Sequence, residues 1–239
     1  MNKLISCFII GFMVTLFSCK FGGRKVDGNG KVTTEKRAAS SLLKLNVAGG
    51  INVVIDNGLA GVRVEADENL IPYIVTETDG DWFKIRVKDD VNLQSAKTPT
   101  VYISTPAINS IIVAGSGEIL ANGKFSSMEQ MDFDIAGSGS ITIEVNAPAV
   151  ETEISGSGSL HISGETRTAK VEIAGSGNYD GISLKAENAN VSISGSGEAI
   201  VFAETTLKAS IAGSGNIKYK GNAAVDKQVA GSGEVVKIP

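Results

Sequence analysis

From residue 111 onward one pattern of apolar and polar positions repeats along the chain. Gly-Ser-Gly occurs at 115–117, 137–139, 156–158, 175–177, 195–197, 213–215 and 231–233, at spacings of 22, 19, 19, 20, 18 and 18 residues. Two residues before each first glycine stand Val113, Ile135, Ile154, Ile173, Ile193, Ile211 and Val229, all β-branched. The residue directly before the glycine is always Ala or Ser, and the residue after the motif is always polar. Next come Ile119, Ile141, Leu160, Tyr179, Ala199, Ile217 and Val235. β-Branched side chains fit a pleated surface. The alternation in Phe133-Asp134-Ile135 and Val171-Glu172-Ile173 gives one inward and one outward face. Glycine lets the chain turn a corner where other residues would be strained. A motif recurring at this period marks a solenoid. The expected fold is all-β: a parallel β-helix over 111–239, of about seven turns and about three short strands per turn. Stacking at about 4.8 Å, seven rungs rise roughly 34 Å. An antiparallel sandwich does not explain the fixed corner, and a flexible Gly/Ser linker would not keep a β-branched column in register.

Residues 41–110 are strand-rich but lack the motif. Alternation predicts strands at Leu42–Val47, Ile51–Ile55, Val62–Ala66, Trp82–Val87 and Thr100–Ser104. Asp56-Asn57-Gly58 and Asp79-Gly80-Asp81 signal turns, and Val47-Ala48-Gly49-Gly50 looks like a degenerate corner. This stretch is read as irregular first rungs or as a cap, which solenoids need at their ends. Asp67–Ile71 and Ser126–Met131 are the only helix candidates, and both are weak.

The N-terminus changes the picture of compartment. Lys3 precedes an apolar run, Leu4–Phe17, that ends in Leu16-Phe17-Ser18-Cys19, the layout of a secretory signal. The run is shorter than the roughly 20 residues that span a bilayer. The ending resembles a bacterial lipobox, so 1–19 is expected to be a lipoprotein signal and Cys19 the lipidated residue. Cys7 leaves with the signal, so the exported body carries no disulfide and no Cys-based site. Residues 20–40 hold six basic and two acidic residues and no apolar period. They are expected to form a flexible basic tether reaching on the order of 25 Å, suited to anionic headgroups. The folded part, 41–239, is then left at −9, and no nucleic-acid partner is expected.

The lipobox, the short tether, Leu43-x-Leu45-x-Val47-x-Gly49-Gly50-Ile51-Asn52-Val53 and the Gly-Ser-Gly rungs together resemble the head GIN domain family of auto-transporter adhesins, over about 42–222. That family is common among Bacteroidetes lipoproteins. The resemblance implies a right-handed parallel β-helix and a cell-envelope protein, with adhesion as the associated role.

The side-chain chemistry points away from catalysis. His161 is the single histidine and alternates outward between Leu160 and Ile162. A Ser-His-Asp mechanism would need it oriented by a carboxylate and facing a nucleophile. No phosphate loop, His/Cys metal cluster or HExxH occurs, and no cofactor is expected. Intervals of at most 22 residues leave no room for the long loops from which β-helix polysaccharide enzymes build clefts. Two surfaces are candidates for binding. In Trp82-Phe83-Lys84-Ile85-Arg86-Val87, alternation turns Trp82, Lys84 and Arg86 outward together; such a face suits a sugar ring or a subunit contact. On the solenoid, Asp134, Glu153 and Glu172 share one outward column, and Asp132, Glu151 and Lys170 share another. That patch suits a calcium ion or a basic partner, or is simply a solvated face.

The function expected is a non-catalytic, lipid-anchored envelope module for adhesion or binding, held in the outer membrane. The alternatives are a self-associating structural protein and a polysaccharide-active enzyme. The membrane, a homo-oligomer and a glycan or protein ligand are the partners considered. Lys20-Phe21-Gly22-Gly23 lacks the acidic run that resembles surface-export signals, which favours a periplasm-facing anchor without deciding it.

Overall fold

The computed structural model describes residues 23–239; the expected signal segment and Cys19 lie outside the described residues. Strand makes up 73% of the described residues, wound as a β-solenoid of about seven turns. The N-terminal strands are β1 (Arg24–Asp27), β2 (Val32–Arg37), β3 (Lys44–Gly49), β4 (Asn52–Asn57), β5 (Gly61–Asp67), β6 (Ile74–Asp79), β7 (Trp82–Val87), β8 (Val91–Gln94) and β9 (Thr100–Thr105). The rungs follow as β10 (Ser110–Gly115), β11 (Glu118–Ser126), β12 (Met131–Gly137), β13 (Ser140–Gly156), β14 (Ser159–Gly175), β15 (Asn178–Gly195) and β16 (Glu198–Gly213). The last are β17 (Asn216–Lys220), β18 (Ala224–Gly231) and β19 (Glu234–Lys237).

The repeat columns are the register of the solenoid. Val113, Ile135, Ile154, Ile173, Ile193 and Ile211 pair in parallel from rung to rung, and all are buried. A second inward column runs Leu45, Ile111, Phe133, Thr152, Val171, Val191, Ala209. Beyond the corner, Ile119, Ile141, Leu160, Tyr179, Ala199 and Ile217 form a third. Stacked side chains of this kind form one continuous core. The sides of each turn are not separate short strands: β13 to β16 run as 16–18 residue strands from corner to corner. The inward alternation changes phase within them, between Ala147 and Val150 and between Ala186 and Ala189.

The corner needs glycine for two reasons. Gly175 has φ +120°, a region disfavoured for L-residues, and a Cβ there would sit 2.6 Å from the Gly156 carbonyl oxygen of the rung before. That same oxygen accepts the Ser176 amide at 2.8 Å, so corners stack by backbone contact. The degenerate corner is real: Val47, Ala48 and Gly49 pair with Val113, Ala114 and Gly115.

The N-terminal strands are both first rung and cap. β3 and β4 continue the parallel ladders of β10 and β11. Beyond them β6 lies antiparallel on β7, and β2 and β5 extend β9 antiparallel. These antiparallel strands and the turn between β5 and β6 cover the end of the apolar column with Val64, Leu70, Ile71 and Ile74, all buried.

Two further expectations are corrected. The 20–40 segment is not a flexible tether throughout: β2 is an edge strand on β5, and β1 pairs with β8 in a small parallel sheet. Both are held by backbone hydrogen bonds to distant strands, which a missing apolar period does not preclude. β6 and β8 were also not anticipated. As expected of an all-β chain, neither weak helix candidate forms an α-helix. Asp67 closes β5 and Ile71–Tyr73 make a 3-10 turn, while Ser126 ends β11 and Met131 opens β12.

Candidate binding surfaces on the solenoid

The acidic patch stands where the columns put it. Asp134 pairs with Glu153 and Glu153 with Glu172; Asp132 pairs with Glu151 and Glu151 with Lys170. Rung spacing brings like charges to about 4.8 Å, which is repulsive. The fold relieves part of this. Lys170 Nζ lies 2.5 Å from Glu151 and 2.9 Å from Glu172, and Gln130 Nε2 donates to Asp132 at 2.6 Å and Glu151 at 3.0 Å. The Lys170 hydrogen bond holds the Glu151 carboxyl below its ordinary range. Asp134 is left without a cation, and its pKa is raised by burial first and then by Glu153, Asp132 and Glu151. Among the described residues no group of three or more acidic, His or Cys side chains is arranged to hold a metal ion.

The Trp82 face is assembled as expected in direction but not in charge. Phe83 and Ile85 are fully buried, and Trp82, Lys84 and Arg86 lie on the other side of β7, half-buried. Strand β6 sets acids beside the cations. Lys84 pairs with Asp79, and Arg86 lies 3.4 Å from both Glu77 and Asp89. The cation nearest the indole is Lys44, 5.9 Å from the ring. An aromatic surface is available there, but its lysine and arginine are already engaged.

A third surface was not anticipated. His161 is exposed, as expected, yet its Nδ1 lies 3.3 Å from Asp180 Oδ2. Asp180 occupies the same corner-relative position one rung later. The pair borders a shallow hollow of about 320 Å³ that also takes in Asn122, Thr142, Glu144 and Ser183. Each Gly-Ser-Gly is followed three residues on by an outward residue, and that column puts Thr142, His161 and Asp180 side by side.

The profile of the family described as "Putative auto-transporter adhesin, head GIN domain" matches residues 41–223. The chain belongs to this family. The GIN-domain fold is seen in similar solved structures. Two come from Parabacteroides distasonis, described as a "putative lipid binding protein" and a "putative adhesin". Each is 25% identical, with a TM-score of 0.73, over 90% of this chain and 100% of the other. A "putative adhesin" from Bacteroides fragilis is 19% identical with a TM-score of 0.81, over 89% of this chain and 100% of the other, and shares the fold. No curated protein matches. The family profile covers the first rung and the regular rungs up to Ala223 and so includes all three surfaces of this GIN domain.

Proposed function

We propose that the protein is a lipid-anchored, non-catalytic binding module of the cell envelope, presenting the faces of its solenoid to a glycan or protein ligand. One observation carries this: between successive corners the residues of β13 to β16 are spent on strand. No long loop rises from these rungs to shape a cleft, and His161 sits with Asp180 on an open face. Flat sheet faces suit extended contact with a partner. The descriptions of the relatives as adhesins support the same role. Among the described residues no helix is long and apolar enough to cross a membrane, and Cys19 supplies the anchor in this proposal, with the outer membrane as its place.

Self-association end to end is the weaker reading. In the last rung Lys227 takes the inward position beneath Ala209, and Lys237 takes the one beneath Tyr219. Inward charges, lysine above all, are a device that blocks edge-to-edge pairing.

Fractionation of cells producing the chain and its Cys19→Ser variant tests the proposal, together with a glycan and surface-protein array probed with the exported Cys19→Ser protein. The expected result is membrane association that Cys19→Ser abolishes, and a saturable ligand on the array. Membrane association that survives the substitution removes the lipid anchor.

A further inference from the structure

The fold leaves very little chain between Cys19 and the ordered body. Arg24 and Asp27 of β1 pair with Val91 and Gln94 of β8, and the Arg24 amide donates to the Asp90 carbonyl at 2.6 Å. Gly23 lies so close to Asp90 that a Cβ would fall 2.7 Å from its carbonyl carbon. Four residue steps separate Gly23 from Cys19. Fully extended they span no more than about 14 Å. The headgroup layer on one side of a bilayer is itself roughly 5–8 Å deep. Given the lipid anchor proposed above, the β1–β8 arm therefore has to meet the membrane surface.

The arm has the chemistry for that position. Arg24 donates to the Tyr73 hydroxyl at 2.7 Å with its guanidinium 5.6 Å from the ring, and Lys88 lies 5.8 Å from the same ring. Tyrosine and long basic side chains are the residues that settle at a membrane–water interface. Lys25, the next residue on β1, is exposed on the strand's other face. Asp27, Asp89 and Asp90 are the acids on the arm, and Asp89 is engaged by Arg86. Beside Gly23 opens a hollow of about 1100 Å³, lined by Ile51, Val87, Val91 and Leu93 and by the glycines of the first corners. The corners then climb seven rungs from Gly49 to Gly231, roughly 34 Å at ordinary strand spacing.

We infer that the β1–β8 arm, with Arg24, Lys25, Tyr73 and Lys88, is a docking face for phospholipid headgroups, and that the solenoid stands away from the membrane with its last rung farthest out. The four-residue leash fixes which end is held down. The surfaces at Asp134 and His161 are thereby lifted above the headgroups.

The exported protein permits a direct test, because Cys7 leaves with the signal and a lipidated Cys19 has no free thiol. Asn92→Cys on the arm and Ser232→Cys in the last corner, both exposed, each carry a fluorescent donor in the lipidated full chain. The chain is placed in phosphatidylethanolamine–phosphatidylglycerol vesicles bearing an acceptor on their headgroups. Energy transfer is expected to be several-fold higher from position 92 than from 232. Inserting about twenty Gly/Ser residues between Gly22 and Gly23, a reach of roughly 25 Å, should leave transfer from 92 well above that from 232, because the face itself holds the headgroups; a fall to the level of 232 overturns the docking face. Equal transfer from the two sites, or higher transfer from 232, overturns the inference while leaving the anchor intact. A protein that does not join the vesicles and keeps a free thiol at Cys19 overturns the anchor and the docking face together.

Discussion

The side chain that Gly175 lacks would begin 2.6 Å from the carbonyl oxygen of Gly156. Gly156 stands in the same relation to Gly137, and Gly137 to Gly115. Each corner is thus fitted to the one before it through bare backbone, and the spacing of the apolar columns follows from that contact.

Gly175→Val should therefore be among the most damaging single changes on the solenoid surface. It adds a clash to a positive φ, and a loss of roughly 3 kcal/mol or more is expected. Ser176→Ala keeps the amide that bonds Gly156 and should stay within about 0.5 kcal/mol of the parent. Thermal melts of the two variants compare them; equal effects would remove the corner assignment.

The second inward column contains one polar member. Thr152 is fully buried between Phe133 and Val171, and its hydroxyl has no hydrogen-bond partner. Thr152→Val keeps the shape and removes the unpaired group, so a gain of about 1 kcal/mol is expected by denaturant unfolding. Ile173→Asp in the neighbouring column should do the reverse, placing an unpaired charge in the ladder. A destabilised Thr152→Val would mean that the hydroxyl finds a partner in solution.

These residues show what the sequence made legible. Ile135, Ile154 and Ile173 announced their own register because the corner resets the count at every turn. The same count placed Asp134 beside Glu153 correctly. It did not show that Lys170 reaches two acids at once, because a lysine's rotamer is decided by its neighbours in space. β2 was missed for a related reason: Val32-Thr33-Thr34 has strand-forming residues, but its partner is β5, thirty or so positions on, and edge pairing leaves no apolar period behind. The Asp79-Gly80-Asp81 turn is legible with the strand after it, yet β6 before it, with only Ile74 buried, carries too little alternation to show. The links between β1 and β8, and hence the shortness of the leash to Cys19, are tertiary and leave no sequence period.

Asp134 gives the patch a pH signature. Its pKa is raised above the ordinary aspartate value by burial and by three neighbouring acids. The folded state then holds this proton more tightly than the unfolded chain does. Its contribution to stability grows as pH falls through the raised value and is a net cost once the group is charged. Asp134→Asn should raise the melting temperature near pH 7, by the equivalent of about 0.5 kcal/mol for like charges on paired strands. The gain should shrink on approach to pH of about 4. A gain that is constant across this range would assign it to something other than charge.

Lys227 and Lys237 are expected to guard the last rung. Replacing both with Val continues the inward columns of Ala209 and Tyr219 in apolar form. Light scattering after size exclusion should then show concentration-dependent association that the parent lacks. Identical masses for parent and variant at all concentrations would remove the guarding role.

In the proposed role this GIN domain binds without transforming what it binds. The most direct measurement incubates the exported chain with a panel of envelope and cell-surface polysaccharides, following bound protein and newly formed reducing ends in the same samples. Saturable binding to at least one member, with reducing ends unchanged over time, is the predicted result. Reducing ends that accumulate in proportion to the protein added would contradict it, and would make the open face around His161 and Asp180 the first place to look for an active site.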